Sequence, residues 1–351
     1  MPSIKVMEVS NYILKNVNLD TLNKELLVLV GPNGAGKTTL LNVIAGLTDY
    51  EGGVFFDGKK VDKVPTNKRG IGFLFQDLAL FPHLTVTSNI SYGLMAGGYP
   101  EKIIKERANE LLDLLNINHI KDRYPRHLSS GEKQRVALAR AIAPFSKILL
   151  MDEPMSSLDP QTSKYLRAEL RSLLKKLEVT TIYVTHNLLE AEEMADRIAF
   201  IHNGQVEQIG SPDEFIFNPK TKNVSEFIGM PNILNCDHCH TLFPCFVEVA
   251  IKNTHLFLPY EGNGAIKKVA IFPQDIYLPS VKPPGPALNR FEGVITEIIN
   301  LQSVSWVKFN MGGNILVAEL STQAVLEMDI EVGKEVFIII KLRRLRYAER
   351  I

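Results

Sequence analysis

The chain has 351 residues, and its 39 basic and 39 acidic side chains give a formal net charge of zero. This balance argues against a general electrostatic attraction to nucleic acid or to an anionic membrane surface. A hydrophobic fraction of 45% suits a globular α/β protein of about two domains. No run approaches the ~20 apolar residues that span a bilayer, and residues 1–6 lack the apolar core of a secretory signal, so we expect any membrane role to depend on partners.

The first strong motif follows two predicted strands, 4–9 and 26–30. It fits G-x-x-x-x-G-K-[ST] and runs Gly31-Pro32-Asn33-Gly34-Ala35-Gly36-Lys37-Thr38, with Thr39 opening a predicted helix over 39–45. Glycines let successive backbone N–H groups face phosphate oxygens, and the helix N-terminus adds positive potential. We expect Lys37 to reach the β- and γ-phosphates and Thr38 to coordinate Mg²⁺. The alternative, a chance glycine-rich turn, does not explain the strand before the loop and the helix after it.

Strands and helices then alternate along the chain. Short strands are predicted at 54–56 and 71–75, and the stretch from about 85 to 145 is mostly helical. A strand at 148–151, a helix ending near Leu177 and a strand at 181–184 follow. This alternation predicts an α/β fold with a mostly parallel, doubly wound sheet.

Two acidic residues directly follow the predicted strand 148–151. Asp152 is expected to hold Mg²⁺, directly or through water. Glu153 points the other way in an extended chain and is expected to polarise the attacking water. Loops commonly begin with Asp, so this pair gains its meaning from the phosphate loop upstream.

The run Leu128-Ser129-Ser130-Gly131-Glu132-Lys133-Gln134-Arg135 decides between the many classes of phosphate-loop NTPase. It resembles the signature of the ATP-binding-cassette (ABC) ATPase family, usually written L-S-G-G-Q. The chain departs from that signature at Ser130 and Glu132. It keeps Ser129 and Gly131, and the resemblance implies that these two contact phosphate from the start of a helix.

Further elements of the family follow in order over residues 4–230. Gln76 matches the glutamine that contacts Mg²⁺ and water, and Ser157-Leu158-Asp159 matches the D-loop. His186 matches the switch histidine that contacts the γ-phosphate, and we expect no chemical consequence from Asn187, where aspartate often stands. Tyr12 is the candidate to stack on adenine, although its spacing to residues 17–19 is about two residues short.

The resemblance also implies an assembly. In the family the phosphate loop and the signature lie on opposite sides of one cassette. We therefore expect a head-to-tail homodimer in which each ATP lies between Lys37 of one chain and Ser129 of the other. The surface around Gln76 and 81–83 is expected to contact a membrane permease.

The sequence pattern changes after about residue 230. Short β-like runs at 246–250, 269–272 and 336–340 alternate with Gly, Pro and Asn, which predicts a small all-β, OB-like domain over 231–351. The junction at 227–234 resembles importer ATPases with a C-terminal regulatory domain. Residues 315–341 look most like the oxyanion-sensing domains of molybdate/tungstate importers, through the run 320–324, Gly333 and Lys341. Hydroxyls such as those of Ser321 and Thr322 suit a tetrahedral oxyanion, but residues 342–345 lack the small residues that usually follow the lysine. A β domain that only dimerises is the alternative.

Three cysteines, Cys236, Cys239 and Cys245, lie within ten residues. Such a set is no disulfide framework and fits a reducing compartment. Cys236–His240 also fits the C-x-x-C-H pattern of haem attachment, which the expected cytoplasmic location disfavours. A zinc site is chemically reasonable, but an incidental cluster on a hairpin is favoured because no second spaced pair exists.

Together these features predict an ATP-hydrolysing importer subunit at the cytoplasmic face of the membrane. Its cofactors are ATP and Mg²⁺, and its partners are a second copy, two permease subunits and, indirectly, an extracytoplasmic solute-binding protein. Molybdate or tungstate is the first substrate choice; polyamine, ferric iron, sulfate and sugar are the alternatives. A cassette ATPase acting on nucleic acid is disfavoured by the neutral charge. A module without turnover is disfavoured by the presence of Glu153 and His186.

Overall fold

The computed structural model describes residues 2–156, 160–260, 262, 264–279, 281, 282, 284 and 288–349, without the side chains of 160–163, 165 and 343. The predicted D-loop, 157–159, therefore lies outside the described residues. The chain divides into two compact units, Met1–Pro212 and Asp213–Ile351.

The first unit is an α/β unit. Its strands are β1 (Ile4–Ser10), β2 (Val17–Thr21), β3 (Leu26–Val30), β4 (Glu51–Phe56), β5 (Lys59–Lys60), β6 (Ile71–Leu74), β7 (Ile148–Asp152), β8 (Thr180–Val184), β9 (Arg197–His202) and β10 (Gln205–Gly210). Its helices are α1 (Lys37–Ala45), α2 (Val86–Ala96), α3 (Glu101–Leu114), α4 (Ser130–Ile142), α5 (Pro160–Leu177) and α6 (Leu188–Met194).

A six-stranded sheet in the order β10-β9-β3-β8-β7-β6 forms its centre. The pairs from β9 to β6 are parallel, and β10 is an antiparallel edge strand. Every residue of β3, β7 and β8 is buried, which explains why these strands are near-continuous apolar runs rather than alternating ones. Strands β2, β1, β4 and β5 form a separate antiparallel sheet.

The parallel register aligns the carboxyl ends of four strands. Leu74 pairs with Met151, and Asp152 pairs with Val184. The loops that follow β3, β8, β7 and β6 therefore leave the same edge of the sheet, where ligands bind in open α/β folds.

The stretch predicted to be helical contains α2, α3 and α4. Helix α3 buries Ala108, Leu111 and Leu112 on one face, as its apolar spacing predicts. Thr85 caps α2 by accepting the N–H of Ser88 at 3.2 Å, and Ser129 caps α4. Both helices thus begin at a hydroxyl residue.

The second unit is mainly β. It contains α7 (Pro212–Phe217), α8 (Lys222–Ile228), α9 (Thr322–Glu327) and strands β11 (Asn232–Asn235), β12 (His238–Phe243), β13 (Phe246–Ile251), β14 (Thr254–Pro259), β15 (Ile266–Ile271), β16 (Ile276–Tyr277), β17 (Arg290–Asn300), β18 (Val304–Met311), β19 (Asn314–Ser321), β20 (Glu335–Ile340) and β21 (Arg346–Glu349). The sheets are β11-β15-β21, β12-β13-β14 and β16-β20-β17-β18-β19. Alternating residues such as Val247, Val249 and Ile338 form one core.

No helix among the described residues is long and apolar enough to cross a membrane.

Candidate functional site

The phosphate loop connects β3 to α1 and is held closely against the neighbouring hairpin. A side chain on Gly31 would place its Cβ 2.0 Å from the carbonyl oxygen of Ile201, so only glycine fits there. Gly36 precedes α1 with φ 105°, in the left-handed region that favours glycine. The N–H of Gly204 donates to the Ala35 carbonyl at 3.0 Å. The predicted strand, loop and helix are therefore all present.

Lys37 lies at the start of α1 with only 6% of its surface exposed. Its Nζ donates to the carbonyls of Gly31 and Pro32, both at 2.9 Å. Burial lowers the pKa of Lys37, while Glu153 and Asp152 act in the opposite direction. The ammonium group therefore lies against the phosphate loop, where its positive charge could bind a phosphate.

Thr38 and Asp152 come together from α1 and β7. The Thr38 hydroxyl donates to Asp152 Oδ1 at 3.1 Å. Burial raises the pKa of Asp152, Glu153 adds to this effect, and Thr38 and Lys37 oppose it. A hydroxyl and a carboxylate in contact are oxygen ligands of the kind that Mg²⁺ prefers, so these two residues fit the predicted metal role.

Glu153 leaves the strand in a left-handed conformation, with φ 43°. Its N–H donates to the Val184 carbonyl at 3.0 Å, and its Oε2 lies 3.2 Å from Nδ1 of His186. A non-glycine residue in this conformation costs free energy and is typical of functional sites. The turn brings the carboxylate to the imidazole that follows β8.

A buried polar network, which the motifs did not reveal, holds the loop that carries His186. Glu190 on α6 is 6% exposed and accepts hydrogen bonds from the hydroxyls of Tyr183 and Thr185. The Thr185 hydroxyl oxygen accepts the N–H of Asn187 at 3.1 Å. Asn187 caps α6 by accepting the N–H of Glu190 at 3.3 Å. Asn187, for which no chemical consequence is expected, therefore has a structural role.

We expect Glu190→Ala to destabilise the protein by about 2–4 kcal/mol, because two buried hydroxyls lose their acceptor. ATP turnover should fall as well, since the loop of His186 is released. Thermal unfolding and steady-state phosphate release measure both effects. Glu193→Ala, on the same helix at a side chain 42% exposed, is the matched control, and an equal effect of both variants would contradict the prediction.

Tyr12 lies in the loop between β1 and β2 with 80% of its surface exposed. The Asn11 side chain accepts the N–H groups of Ile13 and Leu14 at 2.9 and 2.8 Å. A Cβ built on Gly36 would lie 2.8 Å from the Leu14 side chain, so this loop touches the phosphate loop. Stacking of adenine on Tyr12 stays a prediction.

Gln76 is exposed and lies two residues after β6, at the same sheet edge as Asp152. Its predicted contact with Mg²⁺ and water stays a prediction. The direct contacts at this edge join Thr38 to Asp152 and Glu153 to His186, while Lys37 donates to the carbonyls of its own loop.

The signature residues line a different depression. Ser129 and Gly131 share it with residues from α3 to α5 and the loops between them, namely Asn116, Ile117, His119, Glu132, Arg135, Leu166 and Glu169. Ser129 donates its N–H and its hydroxyl to Glu132 Oε2 at 2.7 and 2.8 Å and accepts the N–H of Glu132 at 3.3 Å. These hydrogen bonds lower the pKa of Glu132, with the backbone one dominant. The Ser129 donors predicted for phosphate therefore hold a carboxylate.

Comparison with known proteins agrees with this geometry. Residues 14–156 match the family model described as ABC transporter, and residues 285–346 match the TOBE domain. The sulfate/thiosulfate import ATP-binding protein CysA of Synechocystis sp. is 38% identical over 93% of this chain and 88% of its own length.

The chain belongs to the ABC transporter family. The molybdate/tungstate import ATP-binding protein WtpC of Pyrococcus abyssi is 33% identical, over 93% of this chain and 94% of that protein. The spermidine/putrescine import ATP-binding protein PotA of Clostridium acetobutylicum is 43% identical, over 86% of both. The dimeric structure of MJ0796, a bacterial ABC transporter cassette, aligns with TM-score 0.54 at 33% identity and covers 60% of this chain and 98% of that one.

The predicted family, fold class and enzyme class are thus confirmed. This ABC protein is an ATP-binding cassette ATPase followed by a β-rich TOBE domain. The relatives that it matches over most of their length are import ATP-binding proteins, as the resemblance implied.

The candidate oxyanion ligands of the TOBE region already have partners. Ser321 caps α9 by accepting the N–H of Ala324 at 3.1 Å, and the Thr322 hydroxyl donates to the Leu301 carbonyl at 3.3 Å. Lys341 Nζ donates to the Tyr277 hydroxyl at 2.5 Å and lies 4.4 Å from the centre of that ring. An oxyanion would have to compete with these contacts.

The cysteines are free thiols in this ABC protein. Burial raises the pKa of Cys236 to about 12, and Cys239 adds to this effect. Cys236 and Cys239 pack against the core of the second unit, and no group of three or more metal-ligating side chains is found in the described part of the chain.

Proposed function

We propose that this chain is the ATP-hydrolysing subunit of an importer and that it closes as a head-to-tail homodimer on ATP. The observation that carries the proposal is the presence of three contacts at one sheet edge: Lys37 with the carbonyls of its own loop, Thr38 with Asp152, and Glu153 with His186. The signature helix in the same chain supplies the second half of each composite site. Residues 1–230 form the functional cassette and 231–351 the regulatory domain in this proposal, with the boundary just before β11 starts at Asn232. The compact units divide earlier, between Pro212 and Asp213, so that α7 beyond its first residue and α8 group with the second unit.

Each residue of the site has a defined task in hydrolysis. The Lys37 ammonium exchanges the carbonyls of Gly31 and Pro32 for phosphate oxygens. The Glu153 carboxylate orients the attacking water and accepts its proton, and His186 holds that carboxylate and contacts the γ-phosphate. Ser129 of the second copy donates to the same phosphate from the N-terminus of α4.

Magnesium fits the oxygen pair of Thr38 and Asp152, with Gln76 as a further ligand from the neighbouring strand end. When bound, the ion neutralises charge on the phosphates and orients them.

We expect Asp152→Asn to raise the melting temperature of the nucleotide-free protein by ~1–3 °C at about pH 8 while abolishing turnover. Because the folded pKa of Asp152 is raised, its ionised form costs stability above the ordinary pKa, and the cost disappears as the pH falls through the raised value. The advantage of the variant should therefore shrink at about pH 5. Thermal unfolding in EDTA at both pH values measures it.

Asp62→Asn is the control variant, for which we expect a change of melting temperature opposite in sign to that of Asp152→Asn. Burial alone would raise the pKa of Asp62, but hydrogen bonds from Tyr50 at 2.6 Å and the Val54 N–H at 2.9 Å outweigh it and lower the pKa. Its stabilisation is present above the ordinary pKa and is lost as the pH falls. Asp62→Asn should therefore lower the melting temperature, most strongly at the higher pH. A destabilised Asp152→Asn protein would contradict the assignment.

The assembly follows from the cassette. Two copies bind two permease subunits at the cytoplasmic face of the membrane, through the surface around Gln76 and the exposed ring of Tyr92, which packs 4.5 Å from Phe81. Closure of the dimer moves the permease helices, and an extracytoplasmic binding protein delivers the solute.

The solute is a small tetrahedral oxyanion in this proposal. Relatives named for sulfate/thiosulfate and for molybdate/tungstate support an oxyanion, and the relative named for spermidine/putrescine equally supports a polyamine. The hydroxyls of Ser321 and Thr322 and the Lys341 ammonium would bind the anion, after Tyr277 releases the lysine.

One set of measurements tests both the ATPase activity and the identity of the solute. Phosphate release by the purified chain establishes the ATPase, and thermal shifts with molybdate, tungstate, sulfate, ferric citrate and spermidine test the solute. Lys341→Met, which keeps the length of the side chain and removes its charge, is the matched variant. Stabilisation by one oxyanion that is lost in Lys341→Met supports the oxyanion. Stabilisation by spermidine in both proteins contradicts it.

A further inference from the structure

Helix α4 begins at the signature and ends beside the loop that follows Gln76. In its last turn, Arg140 reaches out of the helix to that loop. Its Nη1 donates to the Ala79 carbonyl at 2.6 Å, and its Nη2 donates to the Leu78 carbonyl at 2.8 Å. One guanidinium thus binds two successive carbonyls, which a lysine at this position cannot do with the same geometry.

The two residues that it binds have unusual backbones. Leu78 and Ala79 both adopt positive φ, 60° and 44°, although neither is glycine. Each such residue costs roughly 1 kcal/mol relative to a right-handed conformation. The conformation therefore depends on contacts from outside the segment, and the Arg140 hydrogen bonds satisfy the two carbonyls that it turns toward α4.

The other end of the same segment is fixed by α2. Asn89, which is fully buried, accepts the Phe81 N–H at 2.9 Å and donates to the carbonyls of Phe81, Leu84 and Thr85 at 3.0–3.1 Å. The Arg140 guanidinium also lies 5.1 Å from the centre of the Phe81 ring. Residues 78–81 are thereby tied to α4 and α2 at both ends.

We propose that Arg140 is a positioning residue that makes Gln76 and the signature helix move as one piece. Gln76 lies two residues before the segment that Arg140 holds, and Ser129 caps the other end of the Arg140 helix. A displacement of Gln76 on nucleotide binding is passed through the 78–79 carbonyls to α4, so Ser129 arrives at the partner's ATP only when Gln76 is in place. This inference rests on the proposed function.

The test compares Arg140→Lys with Arg107→Lys. Arg107 also donates to a carbonyl, that of Ile142, at 3.4 Å, and it lies 4.9 Å from the centre of the Phe145 ring, but it holds no part of the loop after Gln76. Each substitution replaces a guanidinium that lies over an aromatic ring, Phe81 for Arg140 and Phe145 for Arg107. We expect similar losses of melting temperature from the two.

Two readouts separate positioning from mere stability. Hydrogen exchange of peptides covering residues 75–85 should accelerate by about tenfold in Arg140→Lys and stay within about twofold in Arg107→Lys. In ATP hydrolysis, kcat should fall about five- to tenfold in Arg140→Lys while KM stays within about twofold, because the Lys37 side of the site is intact.

Unchanged exchange in residues 75–85 would overturn the inference, and so would faster exchange with an unchanged kcat. The exchange measurement needs no nucleotide. If the unsubstituted protein hydrolyses no ATP with or without a permease, the proposed function fails, whereas the exchange result still decides whether Arg140 holds the segment.

Discussion

Replacing Glu153 by Gln is expected to lower ATP turnover by at least about 100-fold while ATP still binds. The amide has the shape of the carboxylate and can keep the left-handed turn at φ 43° and the contact with His186. It cannot accept a proton from the attacking water. Phosphate release under steady state and nucleotide affinity by equilibrium titration measure the two effects separately.

Glu178→Gln provides a matched control. Glu178 also has a positive φ, 54°, but its side chain is 58% exposed and pairs with Lys24 at 2.8 Å on the surface. Its replacement tests whether loss of a glutamate charge from a left-handed turn is harmful by itself, and turnover should stay within about twofold. Turnover of Glu153→Gln within threefold of the unsubstituted protein would show that another group is the base.

Ser129→Arg should abolish turnover to a similar extent, at least about 100-fold, without weakening ATP binding to the monomer. In the proposed dimer, the phosphate loop and Lys37 belong to the chain that binds the ATP, whereas Ser129 serves the ATP of the partner in a composite site. A bulky cation at the start of α4 blocks closure and removes the phosphate donor. Titration of nucleotide by the monomer and light scattering of the ATP-bound Glu153→Gln protein, with and without the substitution, report binding and dimerisation.

Thr85→Arg is the control for this variant, because Thr85 caps α2 in the same way. Both variants lose a cap worth about 1 kcal/mol, but only Ser129→Arg should stop turnover and dimerisation. Specific activity that is independent of protein concentration down to the lowest measurable level would contradict a composite site, and so would an active Ser129→Arg protein.

The strand, phosphate loop and helix could be predicted from sequence because each depends on neighbours in the chain. The apolar run of β3, the glycines of the loop and the periodicity of α1 are local patterns. The meeting of Glu153 with His186 could be predicted as well, since parallel strands bring their carboxyl ends to one edge.

Other parts of the site depend on pairings that no local pattern encodes. Glu190 and Thr185 are buried together because α6 brings the Glu190 side chain back to the carboxyl end of β8. The bond from Arg140 to Leu78 joins residues 62 positions apart, through a backbone conformation that Leu and Ala do not signal. The S-x-x-E spacing from Ser129 to Glu132 is typical of a capping box, and the structure contains one there.

The Glu132 carboxylate already occupies, as an anion, the hydrogen-bond donors at the start of the signature helix. Since Ser129 already donates to Glu132, an arriving phosphate replaces one negative acceptor by another. The free energy gained at this end of the helix is then the difference between two similar charge-assisted contacts, rather than the full value of one. An interface built on such an exchange closes with little net attraction, and the departing phosphate leaves behind a helix whose cap re-forms within its own chain. In the proposed dimer, opening after each turnover is therefore helped by the cassette itself.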